Sequence, residues 1–122
     1  MLDRLNKLIK QYSYSCTNIK KISIITDNKN DQLLQNILTD NKNANINELT
    51  SDFSQTCLII IKYENINGLL TNFMNNHVNK KIILIVKKDF DFNNLIKISK
   101  AHSIDAVILK NEPEYFIILS SQ

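Results

Sequence analysis

Leu58-Ile59-Ile60-Ile61-Lys62-Tyr63 is an unbroken apolar, largely β-branched run that stops abruptly at a lysine. Three other runs share its character: Ile22-Ser23-Ile24-Ile25, Ile82-Ile83-Leu84-Ile85-Val86 and Ala106-Val107-Ile108-Leu109. None alternates with polar residues, so each is expected to be a strand covered on both faces, within a mostly parallel sheet flanked by helices. Helical spacing follows each run. Leu33, Leu34, Ile37 and Leu38 follow the first; Ile66, Leu69, Leu70, Phe73 and Met74 the second; Phe92, Leu95, Ile96 and Ile98 the third. Tyr115, Phe116, Ile118 and Leu119 follow the fourth and predict a closing helix that begins near Glu112-Pro113. A weaker strand over 44–48 precedes the Leu58 run, with room for a single helical turn between them. Right-handed crossovers turn this succession into an α/β, doubly wound, five-stranded parallel sheet of order 2-1-3-4-5. Function in such a sheet gathers where the order reverses, here at Thr26-Asp27, Lys62-Tyr63 and Lys87-Lys88.

Ahead of the sheet, Leu2, Leu5, Ile9 and Tyr12 form one apolar seam, widened by Leu8. The expected organisation is an N-terminal amphipathic helix and linker over 1–18 and one domain over 19–122. The helix would lie on the domain's own surface, or else serve as a seam toward another chain.

Composition excludes several classes. At 122 residues, with 43% hydrophobic and 22% charged, the chain suits one folded domain. It has no apolar stretch of the roughly 18 residues that a membrane span needs. It also shows no signal-peptide core, which points to the cytoplasm. Cys16 and Cys57 are too few for a disulfide framework, and Cys57 opens an apolar run, so a buried reduced thiol is expected. Lysine is abundant (14 copies, beside 20 Ile and 18 Asn) but scattered, as in Lys20-Lys21, Lys80-Lys81 and Lys87-Lys88. Without a clustered basic stripe, direct nucleic-acid binding is not expected. His77 and His102 lack partners at metal-ligand spacing, and no metal or cofactor is expected. Asp89 and Asp91, around Phe90, look like helix-start acids.

Over about residues 20–122 the chain resembles the receiver domain of two-component response regulators, a flavodoxin-like (CheY-like) fold. Ser103-Ile104-Asp105-Ala106-Val107-Ile108-Leu109-Lys110 resembles that family's last strand with its terminal lysine, and Glu112-Pro113-Glu114-Tyr115 the start of its last helix. Ile25-Thr26-Asp27-Asn28 resembles the end of its first strand, and Gly68 the glycine that opens its third helix. The departures are as informative. Lys62 stands where the family has its phosphoacceptor aspartate, and Asp27 is the one survivor of a metal-binding acid pair. Val86-Lys87 replaces a hydroxyl residue, Val107 an aromatic one, and Asn111 a proline. Phosphoryl transfer needs a carboxylate nucleophile and a divalent cation held by oxygen ligands. The resemblance therefore implies a degenerate pseudo-receiver.

Its expected pocket is Asp27, Lys62, Lys87 and Lys110, with Lys62 paired to Asp27 in place of the metal, or with the three lysines together attracting an anion. The implied function is phosphorylation-independent signalling through a protein partner or self-association, without catalysis and without a membrane. The implied contact surface comprises the helix over 92–99, the strand over 106–109 and the closing helix, through Lys97, Lys100, Asp105, Glu112 and Tyr115, with a contribution from the N-terminal helix. Two alternatives stand beside it: a working phosphoacceptor with a displaced acidic site, and a small anion- or nucleotide-binding flavodoxin-like domain.

Overall fold

The computed structural model describes residues 2–13, 21–77, 80–111 and 113–121. Its elements are α1 (Leu2–Ser13), β1 (Lys21–Thr26), α2 (Gln32–Asp40), β2 (Ala44–Ile46), β3 (Thr56–Lys62), α3 (Ile66–His77), β4 (Lys81–Lys87), α4 (Phe92–Ala101), β5 (Ile104–Asn111) and β6 (Glu114–Ser121). The six strands form one sheet of order β2-β1-β3-β4-β6-β5. Neighbours from β2 to β4 are parallel, whereas β6 runs antiparallel to both β4 and β5.

Strand side chains alternate between the two faces of the sheet, which explains the continuous apolar runs. Ile59 and Ile61 face one layer with Leu70 and Phe73 of α3 and Leu95 and Ile98 of α4. Leu58 and Ile60 face the other, with Leu5 and Ile9 of α1 and Leu34 and Ile37 of α2. Every position of the run is thereby buried. Ser23 interrupts the first run at little cost, because its buried hydroxyl bonds that of Thr56 at 2.9 Å. α1 lies on the domain's own surface: Leu5 and Ile9 are fully buried, and its seam packs against α2 and β3.

The structure departs from the sequence reading in four places. The closing helix is instead β6. Phe116-Ile117-Ile118-Leu119 is an uninterrupted apolar run, all of it buried, which is the signature that marks the other strands, and Pro113 stands at the reversal of a hairpin. The sheet consequently has six strands, and β6 enters between β4 and the last parallel strand, which replaces the order 2-1-3-4-5. β5 becomes an edge strand with Val107 and Ile108 half exposed, not a strand covered on both faces. No helical turn joins β2 to β3; turns over 47–55 do so, held by the bonds from Ser51 N–H to the Glu48 carbonyl and from Thr56 N–H to the Phe53 carbonyl. Cys57 is disulfide-bonded, so cysteine usage no longer argues for a reducing compartment. No described helix is long and apolar enough to cross a membrane.

Gly68 lies in the first turn of α3, where an added Cβ would meet the Asn65 side-chain amide at 3.3 Å. That group is the end of a flexible side chain and can give way. Gly68→Ala is therefore expected to stabilise the fold by about 0.5 kcal/mol through reduced chain entropy, seen as a higher urea midpoint with an unchanged slope.

Candidate functional site

The carboxyl ends of β1, β3 and β4 open into a cavity of about 770 Å³. Its floor is apolar, with Ile66, Ile85, Val86 and Phe90, and its rim is charged. The position follows from topology: β1 and β3 are neighbours with helices leaving to opposite faces, so their loops part and leave a crevice.

Lys62, the last residue of β3, is the centre of the rim. Its ammonium lies 2.5 Å from Asp31 Oδ2 and 3.2 Å from Glu114 Oε1, with all three side chains mostly buried. Asp31 is the N-cap of α2, and its other oxygen accepts from Leu34 N–H at 3.1 Å. Glu114 opens β6. Because β6 runs antiparallel, its first residue pairs with Lys87 at the end of β4 and so arrives at the same edge as Lys62. Three elements distant in sequence are clasped by one ammonium.

Burial pushes the Asp31 carboxyl up, but the bonds from Lys62 and Leu34 N–H outweigh it and hold the group below its ordinary 3.8. Burial likewise pulls Lys62 down, and the bonds to Asp31 and Glu114 overcome this to raise it above 10.5. Tyr63, partly buried beside the cavity, is raised above 10.0 by burial and then by Asp27 and Glu48, so it presents a neutral hydroxyl at physiological pH.

These contacts revise the expected pocket. Asp27 lines it, but its carboxylate accepts from the Glu64 backbone N–H at 3.0 Å; Lys62 pairs with Asp31 and Glu114. Lys87 reaches Glu64 at 3.6 Å in an exposed pair that adds little. Lys110 is elsewhere, because the insertion of β6 carries β5 to the sheet's edge, where the Lys110 carbonyl accepts from Arg4 at 3.1 Å. The expected positive charge is also reversed. Asp27, Asp31, Glu64, Asp89 and Glu114 line the cavity against Lys62, Lys87 and Lys88, a formal excess of two negative charges.

Among the proposed contact residues, Lys97, Lys100 and Asp105 are exposed, whereas Tyr115 is partly buried with its ring 6.0 Å from that of Phe92. Glu112 lies outside the described residues. His102 caps α4 through its backbone, and Asp91 is that helix's N-cap, as its position suggests. No cluster of three potential metal ligands occurs among the described residues.

Sequence reasoning passed over Asp31 and Glu114. Asp31 carried a signal, an acid three residues before the buried Leu34 at a helix start. Glu114 carried none, since only the antiparallel return of β6 brings it to the site.

Fold and site together define a Rossmann-like α/β domain with its cleft at the carboxyl edge of the parallel strands. Two solved structures share this architecture. A precorrin-6y C5,15-methyltransferase from Geobacter metallireducens GS-15 superposes with a TM-score of 0.56 at 9% identity, over 98% of this chain and 87% of the other. A protein-(glutamine-N5) methyltransferase (release factor-specific) from Alicyclobacillus acidocaldarius subsp. acidocaldarius DSM 446 gives 0.55 at 8%, over 97% and 90%. At such identities the likeness is one of fold. No protein-family model matches the chain, and no curated protein does. The receiver expectation is overturned, together with the signalling role, its phosphoacceptor and flavodoxin-like alternatives, and the absence of catalysis inferred from it. All of these leaned on a closing helix that is a strand and on a resemblance to a family absent among these neighbours, both of which are named as enzymes.

Proposed function

We propose that this chain is a methyltransferase-like domain that binds a sulfonium nucleoside of the S-adenosylmethionine class in the cavity at the ends of β1, β3 and β4. The observation that carries the reading is the charge of that cavity, in which carboxylates outnumber lysines around an apolar floor. A sulfonium nucleoside is cationic at sulfur, bears hydroxyl and amine donors, and carries no phosphate. Negative walls attract it, and the floor of Ile66, Ile85, Val86 and Phe90 suits a flat base. A cavity of about 770 Å³ has room for it.

A further fit comes from Asn67, which lines the cavity. Its Oδ1 is buried and has no hydrogen-bond partner among the described residues. A buried acceptor left bare costs about 1–3 kcal/mol, so this atom suits an incoming amine or hydroxyl. The loop over 26–31 contains no glycine, so side chains and not bare backbone form that wall. When bound, such a cofactor supplies an electrophilic methyl group on positively charged sulfur. The chain's own contribution is to hold Lys62 against Asp31 and Glu114, away from the cation, and to offer the neutral Tyr63 hydroxyl at the rim.

Titration calorimetry and thermal unfolding with S-adenosylmethionine and S-adenosylhomocysteine test the reading. Ligand at about 100 times its Kd is expected to stabilise the fold by about 2.7 kcal/mol. No heat and no shift with either compound at millimolar concentration would exclude it.

A further inference from the structure

We propose that Asp31 is an internal anion: its carboxylate fills the position that a ligand's phosphate would take at the start of α2 and confines the cavity to unphosphorylated ligands. The inference rests on the reading of this cavity as the ligand site and adds its specificity.

A helix that begins at the carboxyl edge of an open sheet ordinarily offers free backbone N–H groups and the positive end of its dipole to a phosphate. α2 begins at this edge, directly after β1. Part of its first turn is already engaged by Asp31, whose carbonyl accepts from Gln35 N–H at 3.0 Å. Asp31 Oδ1 accepts from Leu34 N–H at 3.1 Å. The loop before it is closed in the same way: Thr26 Oγ1 accepts from Asn28 N–H at 3.0 Å, Asn28 Oδ1 from Asn30 N–H at 3.1 Å, and the Asn28 carbonyl from Asp31 N–H at 3.2 Å.

The ammonium that could have met a phosphate is engaged by the same side chain. Lys62 is bound to Asp31 Oδ2 and also to Glu114 Oε1. Turning Lys62 toward a ligand would strand two carboxylates in a partly buried position, which is costly. An arriving phosphate would also face Asp27, Glu64 and Asp89 across the cavity. Asp31 thus occupies part of the helix terminus and the lysine, and the neighbouring acids set the field against phosphate.

Serine and asparagine cap helices about as well as aspartate, so Asp31→Ser and Asp31→Asn remove the charge while keeping the cap. Calorimetry on the full chain, with inorganic pyrophosphate and ADP as probes, then separates the outcomes. Wild type is expected to give no heat at millimolar probe. Both Asp31 variants are expected to bind pyrophosphate at least about tenfold more tightly, because Lys62 and the end of α2 become available. Glu114→Gln removes an equal charge but leaves Asp31 in place, and is expected to gain less than about threefold.

Binding of pyrophosphate or ADP by wild type at millimolar probe would overturn the proposal. So would failure of both folded Asp31 variants to gain binding, or an equal gain from Glu114→Gln. The wild-type measurement can refute it whether or not the variants fold. S-adenosylmethionine titrated into the same wild-type sample reports separately on the methyltransferase reading, since its failure to bind leaves the pyrophosphate comparison intact.

Discussion

Lys62→Ala is expected to lower stability by about 2 kcal/mol at pH 7, less than the roughly 3–5 kcal/mol typical when one partner of a fully buried pair is removed. The discount reflects partial solvent access, since the Lys62, Asp31 and Glu114 side chains keep 21%, 16% and 15% of their exposure. The loss should be pH-dependent in a way that identifies the clasp. Asp31 is held below 3.8 in the folded protein, so its contribution is present above that pH and is lost as pH falls through the folded value. Lys62 is held above 10.5, so its contribution is complete below that pH and is lost as pH rises through its folded value. The difference between wild type and variant should therefore be flat from about pH 5 to 9 and shrink on either side. Urea denaturation across that range provides the measurement. A difference that peaks near pH 6.5 would point to a histidine and against this cluster.

Phe116→Ala is expected to cost about 3–5 kcal/mol, the range for deleting a buried aromatic side chain. Phe116 is fully buried on β6, in the layer that also holds Leu5, Ile9 and Ile118. β6 is bonded on both sides, to β4 and to β5, so the strand cannot shift to close the space. The cavity would also undercut the bed on which α1 rests. A loss below about 1 kcal/mol, as for a surface change, would mean that this segment is not the buried inner strand. Ile117→Ala is the companion measurement. Ile117 is fully buried in the opposite layer, so both substitutions should be costly, whereas a helix with one solvated face would spare one of them.

The two predictions meet in β6. The strand that fills the core with Phe116 also begins with Glu114, which reaches Lys62. Its direction matters for the site as much as for the fold. Run parallel, the same segment would leave Glu114 at the opposite edge of the sheet.

The α/β class, the strands β1, β3 and β4, and the helices α1 to α4 could be read from residues alone. Their signals are local: an apolar run covered on both faces, or an apolar stripe with helical spacing, is decided within a dozen residues. The edge at which the cavity opens was equally legible, because chain order places the ends of β1, β3 and β4 together whatever packs around them. The stretch after Lys110 needed more. Tyr115, Phe116, Ile118 and Leu119 satisfy a helical spacing, and the buried run from Phe116 to Leu119 also satisfies a strand. The choice falls to whether β4 has an open edge wanting backbone partners, which is a property of the assembled sheet. Once β6 fills that edge, Lys110 leaves the pocket, Glu114 enters it, and the expected basic cleft becomes an acidic one. Charge at a site is summed over residues far apart in sequence, and only the tertiary structure decides which of them belong to the sum.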